Sequence, residues 1–179
     1  MQIVQAPNTV LSQKAAEIKK IDSTALELIA RMKQTLLGAS DPEGVGLAAP
    51  QVGKSVQLFI MKPEKDSPIT VIINPKVDLI GQATSRKTKN GHATLEGCLS
   101  IKDIWGTVKR ARSVHVTYMD EQGKTIVKTF TGWPARVIQH EYDHLQGILF
   151  PRRVLEQQGK LYKSHKNKDG EDEFDLLTL

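Results

Sequence analysis

The sequence predicts an α+β fold, in which mixed or antiparallel strands pack around a central helix and another helix lies near the N-terminus. The chain has 179 residues, about the length of one domain. Hydrophobic residues make up 39% of it and charged residues 25%, which is typical of a globular protein. The predicted elements run in the order helix, strands, late helix. They lack the alternating strand–helix order of a doubly wound fold, which favours α+β.

The first predicted element is a helix over about 24–37. Residues 24–27 have the form of a capping box, and Gly38 ends the run. The apolar residues of this segment recur at helical spacing, at Leu26, Ile29, Met32 and Leu36. A polar, breaker-rich loop over 39–44 follows. Small residues over 45–51 then predict a close-packed connection.

Strands are expected in the middle of the chain. Branched and aromatic residues at 56–62 and 69–74 predict two strands that end at the prolines Pro63 and Pro75. Residues 113–131 alternate on either side of the turn 120–123, which predicts a hairpin.

The second predicted helix starts around Pro134, a residue suited to a first helical turn, and ends at Gly147. Beyond it the chain is strongly charged. Lysines at 160, 163, 166 and 168 precede five acidic residues at 169, 171, 172, 173 and 175. We expect this tail to be mobile.

Composition narrows the classes of protein. The longest apolar stretches, such as 58–61, are far shorter than the roughly 18 residues of a membrane helix, so we expect no membrane span and no signal peptide. The single cysteine, Cys98, cannot form an intrachain disulfide and favours a cytoplasmic location. The net charge is +5, but the sequence has no recognisable nucleic-acid-binding motif. We therefore interpret the excess of basic residues as a solvated surface.

Chemistry is indicated first by the run His140-Glu141-Tyr142-Asp143-His144 in the second helix. Spacing of four places both imidazoles on one helix face, where they can bind one divalent ion. Glu141 can then reach a water molecule on that ion. The pattern predicts a metal-binding helix at the centre of the fold. The alternative is a solvated helix face with two exposed histidines.

A catalytic metal site needs a third protein ligand and an open position. Cys98 is the natural candidate, because Gly97 before it allows a tight turn and its thiolate completes a Cys-His-His set. Two alternatives remain open, a small buried hydrophobe and the nucleophile of a Cys-His dyad. Two histidines at metal spacing are more than a thiol nucleophile needs.

The segment 44–51, Gly-Val-Gly-Leu-Ala-Ala-Pro-Gln, offers backbone amides free of bulky side chains. Its last residue, Gln51, can donate a hydrogen bond to a developing oxyanion. The segment lacks the third glycine and the strand–loop–helix setting of a dinucleotide site, so cofactor phosphate binding is excluded. The alternative is a tight loop packed against the core.

Together, the segments 44–51, 96–100 (Glu-Gly-Cys-Leu-Ser) and 139–144 (Gln-His-Glu-Tyr-Asp-His) resemble the peptide deformylases. That family removes the formyl group from the initiator methionine of new polypeptides. The similarity extends more loosely over about residues 3–150. It implies a peptide deformylase-like catalytic domain over 1–150 and a C-terminal charged extension over 151–179.

The resemblance assigns roles residue by residue. The metal ligands that it implies are Cys98, His140 and His144. The reaction residues are Glu141 as general base and acid, Gln51 and the backbone N–H of Leu99 as oxyanion donors, and Gly46, whose backbone pairs with the substrate. Positions that match the wall of the methionine pocket are Val45, Trp133 and Val137, which could equally be plain core. Glu96 and Arg110 match a pair that supports the cysteine loop, or they are two surface charges.

The resemblance also implies partners. Fe²⁺ is the expected physiological ion, with Zn²⁺, Ni²⁺ or Co²⁺ able to replace it, whereas the ligand types alone favour zinc. The substrate is a formyl-methionyl peptide, and we expect a monomer. The basic stretch 152–168 could dock on the ribosome surface, or the tail could fold back on itself. Lys102 and Leu95 depart from the family pattern at the substrate groove and leave peptide preference open.

Two other functions compete with this interpretation. A zinc metallopeptidase shares the two-histidine motif but takes its third ligand downstream of the helix, where the sequence offers no suitable glutamate. An inactive binder of N-terminal peptides on the same fold would not need Gln51, Cys98, Glu141 and both histidines together.

Overall fold

The computed structural model describes residues 1–40, 43–85 and 94–178. Over these ranges the chain forms two antiparallel sheets and a few helices, which confirms the predicted α+β class. None of the helices in the described ranges is long and apolar enough to cross a membrane. The predicted loop 39–44 lies partly outside the description, at residues 41 and 42.

The described helices are α1 (Ser23–Leu37), α2 (Trp133–Leu145) and α3 (Phe150–Glu156), with short 3-10 helices at Thr9–Ser12 and Ala49–Val52. The strands are β1 (Gly46–Ala48), β2 (Leu58–Met61), β3 (Thr70–Thr84), β4 (Glu96–Cys98), β5 (Ile101–Gly106), β6 (Arg110–Met119), β7 (Thr125–Thr131), β8 (Leu161–Lys166) and β9 (Asp172–Leu176). Within the described residues one sheet has the order β1-β2-β3-β6-β7 and the other β4-β5-β8-β9.

The five-stranded sheet is covered on both faces. Along β2, Phe59 and Met61 point to a core shared with α2, whereas Leu58 and Ile60 point to a core shared with α1. A continuous apolar run is what a strand buried on both faces requires. A third cluster, which includes Cys98, connects α3 to the four-stranded sheet.

Helix α1 confirms the predicted segment, but its cap differs. The side chain of Asp22 accepts a hydrogen bond from the N–H of Ala25 at 3.1 Å, so Asp22 and not Thr24 is the N-cap. A carboxylate satisfies an unpaired helical N–H and interacts favourably with the positive end of the helix dipole.

Two predicted boundaries were wrong. Residues 46–48 of the expected connection form a strand, because β1 pairs with β2. Strand β3 does not stop at Pro75 but runs to Thr84. The register shifts between Ile73 and Lys76, and Asn74 has a φ of +49° there. A bulge of this kind accommodates a proline, which cannot donate to the ladder.

The C-terminal tail, expected to be mobile, forms the hairpin β8–β9, and β8 pairs with β5. Charge favours the pairing of β8 with β9, because basic residues of β8 lie opposite acidic residues of β9. Lys166 and Asp172 approach to 2.8 Å, and His165 lies 3.4 Å from Glu173. Opposite charges facing each other across two strands stabilise the pair.

Candidate active site and metal centre

Helix α2 is fixed to the sheet by the side chain of Gln139. Its Oε1 accepts from the N–H of Ala111 and its Nε2 donates to the carbonyl of the same residue, both at 2.9 Å. This amide therefore hydrogen-bonds β6 as a neighbouring strand would. The next residue, His140, is thereby directed toward the four-stranded sheet.

Cys98, His140 and His144 come together between the helix and β4. One ligand atom from each lies within 4.8 Å of the others, and Sγ of Cys98 is 3.2 Å from Nε2 of His144. Cys98 and His144 are buried, and His140 is partly so. A thiolate and two imidazoles suit zinc and other divalent transition metals, and three ligands leave one tetrahedral position open. The residues therefore fit a catalytic metal ion.

The electrostatic surroundings shift the pKa values of the two histidines in opposite directions. Burial would lower the pKa of His140, but hydrogen bonds with Cys98 and Glu96 and their negative charge raise it well above its ordinary value. Burial, with the nearby charge of His140, lowers the pKa of His144 well below its ordinary value, which leaves the neutral ring that binds metals. Because a ligand must lose its proton to bind, the ion and the proton on His140 compete.

Glu141 lies beside the three candidate ligands and is 3% exposed. Its Oε2 has no hydrogen-bond partner among the described residues. Burial raises the pKa of this carboxyl to about 7, although the charge of His140 opposes the rise. A carboxyl with a pKa near neutrality can both accept and return a proton.

Gln51 is buried next to Cys98. Its Oε1 accepts from the N–H of Ala48 at 2.8 Å, which orients the amide. Its Nε2 is then 3.5 Å from Sγ of Cys98 and 3.3 Å from Oγ of Ser100. The structure thus brings this predicted donor to the edge of the metal centre.

Glu96 and Arg110 are joined as the resemblance implied. Arg110 meets both carboxylate oxygens of Glu96, at 2.6 and 3.2 Å, and Oε1 of Glu96 also meets Nδ1 of His140 at 2.7 Å. Burial would raise the pKa of Glu96, but Arg110 and His140 hold it well below its usual range. Arg110 is buried and the side chain of Glu96 is only 13% exposed, so the alternative of two surface charges was wrong.

Sequence reasoning missed two members of this network. Asp143 accepts from Nη1 of Arg110 at 2.6 Å and from Nη2 of Arg153 at 2.7 Å. Asp143 lies three residues after His140 on the same helix, so helical spacing could have placed it near the site. Arg153 lies on α3, and no signal in the sequence connects it to this carboxylate.

A cleft of about 810 Å³, its open mouth included, leads to this group. The three residues predicted for the methionine pocket, Val45, Trp133 and Val137, line it. Gly46 lies against Glu141, because a Cβ on Gly46 would be 2.7 Å from the carboxyl carbon. Leu99, in the turn between β4 and β5, and Leu95 also line the cleft. Lys102 lies apart, exposed in a neighbouring groove.

A sequence profile of the family described as polypeptide deformylase matches residues 1–160. This chain belongs to that family. A peptide deformylase from Pseudothermotoga lettingae is 38% identical over 141 residues, which are 79% of this chain and 75% of the relative. Membership confirms the predicted function, metal-dependent removal of the formyl group from the initiator methionine of new polypeptides.

Solved structures are similar throughout the deformylase fold. A peptide deformylase from Synechococcus elongatus, in complex with actinonin, is 37% identical to this chain, with a TM-score of 0.75. The match covers 86% of this chain and 78% of the Synechococcus chain. A class I type b peptide deformylase from Acinetobacter baumannii, bound to Met-Ala-Ser, is 32% identical, with a TM-score of 0.74. The match covers 86% of this chain and 98% of the Acinetobacter chain. The candidate third ligand, Cys98, lies upstream of the helix, whereas a zinc metallopeptidase takes its third ligand downstream of it.

Proposed function

We propose that Cys98, His140 and His144 hold one divalent ion at the end of the cleft, with α2 as the metal-binding helix at the centre of the fold. The observation that carries the proposal is the approach of the three ligand atoms to within 4.8 Å, beside the buried Glu141. When bound, the ion acidifies water and polarises the formyl oxygen. Fe²⁺ is the proposed physiological ion, and Zn²⁺, Ni²⁺ or Co²⁺ can replace it.

Glu141 is the proposed proton carrier. Its carboxylate takes a proton from the attacking water and returns it to the nitrogen of the leaving methionine. Charge that develops on the formyl oxygen is stabilised by Nε2 of Gln51 and the backbone N–H of Leu99. One such donor is commonly worth about 3 kcal/mol of barrier.

The substrate methionine is proposed to occupy the part of the cleft between Val45, Trp133 and Val137, which offers an apolar lining. Strand β1 is at the edge of its sheet as described, so the backbone of Gly46 can pair with an extended peptide. The Acinetobacter relative is bound to Met-Ala-Ser. A peptide that begins with formyl-methionine is therefore the substrate to test.

Metal analysis and formate release from formyl-Met-Ala-Ser test these roles separately. Cys98→Ala should lose the ion and its activity together. Glu141→Gln should keep the ion and lose turnover, because the amide cannot carry the proton. A Cys98→Ala protein that holds a stoichiometric ion with an unchanged Co²⁺ spectrum would disprove the ligand set. Near-normal kcat in Glu141→Gln would disprove the proton transfer.

We propose that residues 1–150 form the catalytic domain and that 151–179 form an extension. We also propose that the protein is a cytoplasmic monomer.

We further propose that the basic stretch 152–168 contacts the ribosome. RNA phosphates attract exposed lysines and arginines. Lys166 is paired with Asp172 and Lys163 lies opposite Asp175, so charge reversal at Lys160 and Lys168 tests docking with less damage to the hairpin. Ribosome co-sedimentation should fall while turnover of a free peptide stays constant. Equal sedimentation of variant and wild type at low salt would exclude docking.

A further inference from the structure

Trp105, on β5, forms part of the cleft wall beside the proposed metal ligands. Its ring packs on Gly97, where a Cβ would be 2.7 Å from Cζ3 of the indole. Gly97 directly precedes Cys98. The position of this indole therefore shapes the cleft one residue from a proposed ligand.

The C-terminal hairpin holds the indole from two sides. Nε1 of Trp105 donates to Oγ of Ser164 on β8 at 3.1 Å. The ring of Phe174 on β9 meets the indole edge to face, with centroids 5.8 Å apart and planes at 89°. Ser164 and Phe174 are cross-strand partners in the hairpin. Both lie beyond residue 160, where the match to the family profile ends.

Beyond Trp105 the cleft borders a second groove of about 2030 Å³, open space included. Cys98, Leu99 and Trp105 line both cavities. Trp105 thus lies where the cleft meets the groove. A peptide whose methionine fills the inner cleft has an open path past this indole for its next residues.

We propose that Trp105, positioned by the hairpin β8–β9, selects the residue that follows the methionine and favours an aliphatic or aromatic side chain there. The indole and Leu99 together offer apolar surface at this point of the wall, which stabilises apolar side chains. Ser164 and Phe174 act through Trp105 and are positioning residues. This inference rests on the proposed function, since it assigns the path of the same substrate.

The test uses the metal-loaded full chain and peptides formyl-Met-Xaa-Ser in which Xaa is Ala, Leu, Phe or Asp. Wild type should prefer Leu and Phe over Ala, and Asp tests whether the charged residues of the groove contribute. Ser164→Ala and Phe174→Ala should lower the preference for Phe over Ala by about three- to tenfold, because one hydrogen bond or one aromatic contact is lost. The change should appear in KM, with kcat and metal content unchanged. The conservative variants Ser164→Thr and Phe174→Tyr should retain the wild-type preference for Phe over Ala.

Leu176→Ala is the matched control, because Leu176 is an exposed apolar residue of the same strand as Phe174. An equal loss of preference in this control, or an equal loss for all four peptides in the Phe174 variant, would overturn the proposal and leave a purely structural hairpin. Calorimetric binding of Met-Phe-Ser and Met-Ala-Ser separates the two levels of inference. If wild type releases no formate, the proposed function fails, whereas equal affinity for these two peptides refutes selection by Trp105.

Discussion

Replacing Arg110 with methionine removes the guanidinium that joins the buried carboxylate of Asp143 to the largely buried carboxylate of Glu96. Glu96 and Asp143 each approach Arg110 to 2.6 Å, and the Arg110 side chain is 5% exposed. Removing one partner of a buried ion pair commonly costs about 3–5 kcal/mol, because a charge is left buried and unpaired. Here each carboxylate keeps another cation, since His140 lies 2.7 Å from Glu96 and Arg153 lies 2.7 Å from Asp143.

The expected loss in the free energy of unfolding is therefore at the lower end, about 3 kcal/mol. For a chain of this size each kcal/mol lowers Tm by about 2–4 °C, so Tm should fall by about 6–12 °C. Glu96 also orients His140, so metal affinity should fall by about 10- to 100-fold. Both effects come from the loss of the same guanidinium.

Denaturant unfolding of the protein after removal of metal by a chelator measures the loss of stability without any contribution from bound metal. Competition with a chelator measures the loss of metal affinity. Arg152→Met is the matched control, because Arg152 forms an exposed pair with Glu156 at 2.8 Å. Such a pair is worth at most about 1 kcal/mol. If Arg110→Met loses no more stability than this control and binds the metal as tightly as wild type, the network has no role in holding the site.

Gly46→Ala should keep the metal and lower kcat about 100-fold, because the new Cβ would displace the carboxyl of Glu141; metal analysis with steady-state kinetics checks this, and an unchanged kcat would contradict the close contact. Gln51→Ala should lower kcat by about 100- to 1000-fold through loss of an oxyanion donor, and a change confined to KM would disprove that role. Gly106→Ala should lower the free energy of unfolding by about 1–3 kcal/mol, because the added Cβ would be 2.6 Å from Cγ2 of Val154. Equal stability of variant and wild type by calorimetry would show that the side chain of Val154 moves without cost.

The sequence predicted those elements that carry a local signal. Helix α1 has apolar residues at helical spacing, and the β6–β7 hairpin alternates around a turn, so periodicity was enough for both. Helix α2 begins where Pro134 indicated. The candidate ligands were found in the same way, because two of them occupy one helix face and the third is the single cysteine.

Other features depend on pairing between distant segments, which leaves no periodic signal. Pro75 normally ends a strand, but the pairing of β3 with β6 continues past it across a bulge. The tail has the composition of a solvated charged segment. It forms a hairpin because β5 offers an edge, Leu161 packs in a core cluster, and the basic and acidic strands face each other. Strand β4 was not predicted, since the three residues Glu96–Cys98 are too short to show a pattern. Its partner β5 was not predicted either.

The placement of the donors explains why the ion pairs matter to the chemistry. Cys98 belongs to the four-stranded sheet, whereas His140 and His144 belong to a helix that packs on the five-stranded sheet. The distance between thiol and imidazoles is therefore set by how these two layers meet. Glu96 lies on the strand of Cys98, and Asp143 lies on the helix of the histidines. Arg110 binds both carboxylates, so it fixes the two halves of the proposed metal centre relative to each other. Ligand geometry and stability should therefore change together when Arg110 is removed.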